Sequence, residues 1–103
     1  MYKILITTTD SIDLAGKVKD YVLINSLSPC VQILSNVESS YMWKNKIETA
    51  KEYILLIKCN KSNLPKIKNF IDEEHNYDIH ELISADIDIL NPKYRDWFDE
   101  NSI

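Results

Sequence analysis

The sequence predicts an α+β protein of the ferredoxin-like, split βαβ kind: strand, helix, strand, strand, helix, strand, then a C-terminal helix. Three observations carry that expectation. Apolar, β-branched runs alternate with segments of three- and four-residue apolar spacing; each helical segment opens on capping residues; and the two middle strands are joined by a two-residue turn. At 103 residues the chain is near the usual size of one domain, so residues 1–103 are expected to share one core.

The first strand runs from Lys3 to Thr8, where Ile4, Leu5 and Ile6 pass into threonines that suit a pleated surface, and it is expected to lie centrally. Asp10 and Ser11 then supply capping oxygens. Leu14, Ala15, Val18, Tyr21, Val22 and Asn25 follow on one face of a helix. Gly16, the sole glycine, weakens that helix by about 1 kcal/mol relative to alanine.

Ser28 and Pro29 end the helix, and Cys30 to Leu34 open a second strand that continues irregularly through Val37 to Tyr41, Met42 and Trp43. Lys44 and Asn45 make the turn, because Asn tolerates the positive φ of tight hairpins. The return strand, Ile47 to Cys59, is polar through Glu48, Thr49, Lys51 and Glu52 and then strongly apolar from Tyr53 to Ile57. Its second half is therefore expected in the core, while its first half projects.

Ser62 or Asn63 is expected to cap a second helix, with Pro65 in its first turn and Leu64, Ile67, Phe70 and Ile71 as its buried stripe. That helix ends near Glu74, His75 and Asn76. From Ile79 onward, Ile83, Ala85, Ile87 and Ile89 alternate with Ser84, Asp86 and Asp88, the pattern of a half-buried strand. Asn91 and Pro92 start the last helix, which carries Tyr94, Trp97 and Phe98 on one face.

The hairpin strands exceed the usual ~5–6 residues, and two helices cannot cover them. A long bare edge carrying Tyr41, Met42 and Trp43 is an aggregation hazard on a monomer, so pairing with symmetry mates is expected.

Composition narrows the function classes. With 45% hydrophobic and 27% charged residues the chain is ordinary globular material. A net charge of −4 disfavours a phosphate backbone, so no nucleic-acid partner is expected. No apolar run approaches the ~18 residues of a membrane span, and Met1 to Ile4 lead directly into a strand pattern, so the expected location is cytoplasmic, with no membrane partner. Cys30 and Cys59 lack the paired spacing of a zinc or redox motif and are expected to be reduced. One glycine excludes a phosphate-cradling loop, and no nucleophile, base or carboxylate pair has persuasive spacing; no catalytic residue and no enzyme activity are expected.

Several segments, in order, carry a family resemblance: Thr7-Thr8 before a capped helix, Pro29-Cys30-Val31, Tyr41 to Glu48 at the hairpin, Lys58, His75-Asn76-Tyr77, and Asn91 to Trp97. Together they resemble the CutA divalent-cation-tolerance family over essentially the whole chain. The resemblance implies a ferredoxin-like protomer whose long hairpins interlock into a homotrimer, similar in assembly to the PII signalling proteins. There are departures: Lys44-Asn45 stands where the family usually has Glu-Gly, and Asn76 and His80 fall in a segment that has lost its prolines.

The resemblance also implies a site. Family members assigned copper use a Cys at the position of Thr7 and two His at the positions of Glu74 and His75, of which only His75 survives here as a good ligand. The set Thr7, Glu74 and His75 is thus the expected location for copper(II) or another divalent cation, with no cofactor required. His80 and Glu81 are adjacent and would point apart on a strand, so they are not expected to chelate together. Tyr41, Trp43, Lys58, His75, Tyr77 and Glu81 are expected around an intersubunit cleft suited to a small anionic ligand. The implied function is cation tolerance with weak copper(II) binding; the alternative is a PII-like signalling module that binds an anionic metabolite or nucleotide.

Overall fold

A computed structural model describes residues 1–103. The chain forms β1 (Tyr2–Thr9), α1 (Ile12–Ile24), β2 (Val31–Trp43), β3 (Lys46–Asn60), α2 (Leu64–Glu74), β4 (Leu82–Ile87) and α3 (Pro92–Glu100), with a 3-10 turn at Lys61–Asn63. The four strands make one antiparallel sheet in the order β2-β3-β1-β4, so β1 is central as expected.

One face of the sheet is helix-covered. Leu5, Leu55, Ile57 and Cys59 point from β1 and β3 into a cluster with Leu14, Ala15, Val18 and Val22 of α1 and Ile67 and Ile71 of α2. The α1 cap is the one the sequence predicts, Ser11 Oγ accepting the Leu14 N–H at 3.1 Å. Asn63 does not cap α2 with its side chain. It is buried, and its Nδ2 donates to the Leu27 and Ile103 carbonyls, tying the α1–β2 connection to the C-terminus. A long-range demand thereby overrides the local capping role.

The opposite face carries Ile4 and Ile6 of β1, Ile54 and Leu56 of β3, and Ile83 and Ala85 of β4, related by direct pairing. At one end α3 covers it: Phe98 is fully buried against Tyr2, their rings edge-to-face at 5.6 Å, and Tyr2 Oη donates to Asp99. Elsewhere it is open, and Ile83 is 54% exposed. The alternation of the last strand is real, but its apolar row lies on this open face, and the strand starts at Leu82 rather than Ile79.

β2 and β3 form a hairpin whose turn, Lys44 and Asn45, has φ of 50° and 65°, the double left-handed geometry of a tight two-residue turn. A bulge interrupts it: Leu34 pairs with Ile54 but Val37 pairs with Glu52, and Asn36 takes φ 60°. Beyond the bulge the hairpin leaves the body of the protomer. The molecule measures 46 × 25 × 21 Å with a radius of gyration of 14.5 Å, above the about 13 Å of a compact chain this long.

Candidate functional site

The bulge decides which side chains build the site. Two residues of β2, Ser35 and Asn36, stand opposite Tyr53, so the side-chain alternation slips by one. Past it, Tyr41 and Trp43 share the open face with their β3 partners Glu48 and Lys46, and with Glu52. The segment from His75 to Glu81 forms the other wall. Between them lies a cleft of about 900 Å³, lined by Tyr41, Trp43, Glu48, Glu52, Tyr77, Asp78 and Glu81, with Thr8 at its floor.

Glu52 is the most enclosed of these carboxylates, 7% exposed. Tyr77 Oη donates to its Oε2 at 2.7 Å across the cleft. Burial, and then this bond to a carboxylate, push the Tyr77 hydroxyl well above the ordinary tyrosine range.

The wall itself is pinned to β1. His75 Nδ1 accepts the Tyr77 N–H at 3.0 Å, which leaves the ring proton on Nε2, and Nε2 donates to the Thr8 carbonyl at 2.9 Å. Burial first, and the neighbouring His80 in addition, lower the His75 pKa, against the raising effect of the Thr8 contact. Thr9 Oγ1 donates to Asn76 Oδ1, and Asn76 Nδ2 donates to Asp10. Thr7, 2% exposed, donates from Oγ1 to the Glu81 carbonyl at 2.6 Å.

Tyr41, Trp43, Tyr77 and Glu81, all expected around a cleft, come together here. Lys58 does not line this cleft in the protomer: β3 carries it toward α3, where its Nζ lies over the Tyr94 ring at 5.4 Å. Without it the lining has four carboxylates and no cation, a field that opposes the small anionic ligand expected from the resemblance. Glu52, absent from the expected set, is the residue sequence reasoning missed.

Thr7, Glu74 and His75 are not assembled into a ligand set. Glu74 Oε2 pairs with Lys17 Nζ at 3.2 Å, while Thr7 and His75 are engaged as above. His80 stacks on His75 with centroids 4.5 Å apart and bonds Asp72 through Nε2, and its buried Nδ1 has no partner. No three His, Cys, Asp or Glu side chains of the chain converge closely enough to hold a metal ion. The residues at the copper position therefore do not fit copper. Cys30 and Cys59 are both free, and burial pushes the Cys59 thiol up to about 11, leaving it inert. No helix is long and apolar enough to cross a membrane.

Comparison with known proteins places this geometry. The family model for CutA1 divalent ion tolerance protein matches residues 3–101. "Protein CutA 1, chloroplastic" of Oryza sativa is 34% identical over 76 residues, covering 74% of this chain and 43% of the rice protein. "Divalent-cation tolerance protein CutA" of Thermus thermophilus is 28% identical over 102 residues and is covered to 99%, as is this chain. Among solved structures, CutA1 from Shewanella sp. SIB1 superposes with a TM-score of 0.91 at 31% identity, over 98% of this chain and 94% of that one. The chain spans about half the length of the rice and mouse relatives it matches, 43% and 47%.

Proposed function

We propose that this chain, which belongs to the CutA1 divalent ion tolerance protein family, serves divalent-cation tolerance as a non-catalytic homotrimer whose acidic clefts meet cations. The observation that carries the reading is the cleft lining: Glu48, Glu52, Asp78 and Glu81 face a shared space with hydroxyls and no basic side chain. Such a field raises the local concentration of cations without chelating one tightly. Carboxylate and hydroxyl oxygens suit hard divalent ions, and copper(II), which favours imidazole, binds them weakly.

The trimer is supported by the open sheet face. Ile4, Ile6, Ile54, Leu56, Ile83 and Ala85 form an apolar strip with no helix over its middle, and the bare hairpin beyond the bulge extends from the same sheet. Burying apolar area contributes about 25 cal/mol per Å², so further copies are the economical cover. A cytoplasmic location accords with two free thiols, which persist in a reducing compartment. The PII-like alternative needs an anion in the cleft, where the lining is repulsive.

The test is growth of cells lacking this chain in graded copper(II) and manganese(II), complemented with wild type or with a Glu52→Gln, Glu81→Gln double variant. Wild type should restore growth at elevated cation, and the variant should restore less. Equal growth with and without the chain would overturn the proposal.

A further inference from the structure

Of the three positions that resemblance marks for copper, Thr7 and His75 are wired into the fold. His75 spends both ring nitrogens on backbone: Nε2 donates to the Thr8 carbonyl and Nδ1 accepts the Tyr77 N–H. A metal at Nε2 must displace a proton and a strand carbonyl, and a metal at Nδ1 must displace a backbone amide. Thr7 gives its buried hydroxyl to the Glu81 carbonyl, and Glu74 is paired with Lys17.

From this disagreement we infer that Thr7 and His75 are not metal ligands in this chain but the two pins that fasten the 75–81 segment to β1, making His75 a positioning residue for the cleft wall. The pins act at opposite ends of the segment, His75 on the Thr8 carbonyl and Thr7 on the Glu81 carbonyl. Between them the Tyr77 hydroxyl is delivered to Glu52 across the cleft. Hydrogen bonds supply the cross-link that a metal on these positions would otherwise make.

The inference does not rest on the proposed role of the cleft, and its test reads the segment directly. Metal-stripped full-length protein is titrated with copper(II) and followed by native mass spectrometry, and amide exchange is measured at Tyr77 and Leu82. The proteins compared are wild type, His75→Ala, His75→Asn and Thr7→Val. Asparagine keeps an acceptor for the amide two residues on, as in an Asx turn, but is a poor copper ligand. Copper stoichiometry should be the same in all four proteins. Exchange at Tyr77 should be about tenfold faster in His75→Ala, as for loss of one hydrogen bond, and recover only in part in His75→Asn, which restores the acceptor for that amide but not the donor to the Thr8 carbonyl; Thr7→Val should loosen the Leu82 end. One copper per wild-type chain that both His75 variants lose would overturn the inference. So would unchanged exchange in His75→Ala and Thr7→Val.

Discussion

Ile57 and Ile47 sit on one strand, ten residues apart, in one hydrogen-bonded ladder, yet Ile57 is fully buried and Ile47 is 75% exposed. Below the bulge, β2 and β3 lie under α1 and α2; beyond it no helix covers them, Met42 and Ile47 are largely exposed, and Tyr41 and Trp43, on the cleft side, are about half exposed. The backbone is equally regular in both halves. Pairing and turn chemistry suffice to build a strand, whereas burial depends on what else is packed against it. The covered half is stabilised within the protomer, whereas the protomer supplies no core for the other half.

The sharpest way to break that contrast is in the covered half. Ile57→Ala should cost about 2–5 kcal/mol, the transfer loss plus the cavity left in the core. In urea denaturation its shift should be the same at low and high protein concentration. A shift that depends on concentration would place Ile57 in the assembly rather than the core.

At the junction of the halves, Tyr77→Phe leaves the Glu52 carboxylate without its donor. The expected loss is about 1.5 kcal/mol, the low end for a bond to a charged group, because Tyr77 is only half-buried. The folded Tyr77 pKa is raised above its ordinary 10.0. The unfolded chain therefore ionises first, and the stabilisation is whole below pH 10 and is lost as pH rises above it. The difference between wild type and Tyr77→Phe, measured in urea at pH 8 and pH 11, should shrink at the higher pH. A constant difference would separate the hydroxyl from the stabilisation.

In the bare half, Trp43→Ser should leave the unfolding of an isolated chain nearly unchanged. It should raise the concentration at which the assembly dissociates by about tenfold or more, about 1.4 kcal/mol. Sedimentation at a series of dilutions reads this directly, and no change would detach Trp43 from assembly. The smallest effect is expected from Gly16→Ala: an added Cβ meets nothing within 4 Å. It should therefore stabilise α1 by about 0.5–1 kcal/mol without moving the dissociation.

The contrast also explains what could be read in advance. The order of elements, the central first strand and the Lys44-Asn45 turn follow from local chemistry: β-branched runs, a serine cap, and an asparagine at φ 65°. The projecting first half of β3 was legible as a polar run ahead of an apolar one. The bulge was not, because only Asn36, in the left-handed region, marks it, and asparagines sit in many loops. Its consequence for the cleft is large, since the slipped alternation brings Tyr41 and Trp43 onto the same face as Glu52.

Site residues divide the same way. Tyr41, Trp43, Tyr77 and Glu81 were reached through resemblance. Glu52 escaped because a buried carboxylate is specified by its donor, here Tyr77, 25 residues on. The place of Lys58 within the protomer needs the register: pairing with Ile4 sets it on the sheet toward α3. Asn63 looked like a cap because its true partners, Leu27 and Ile103, are distant in sequence.

The proposed assembly of three chains through the open face and the hairpin is tested most directly by native mass spectrometry at micromolar concentration. Wild type should give one species of three 12.0 kDa chains. A variant with Ile6→Asp and Ile83→Asp, which sets a carboxylate at two paired positions of the open face, should give single chains that remain folded by circular dichroism. A wild-type protein that runs as a single chain would contradict the account, because the apolar strip and the hairpin would then stand uncovered in water.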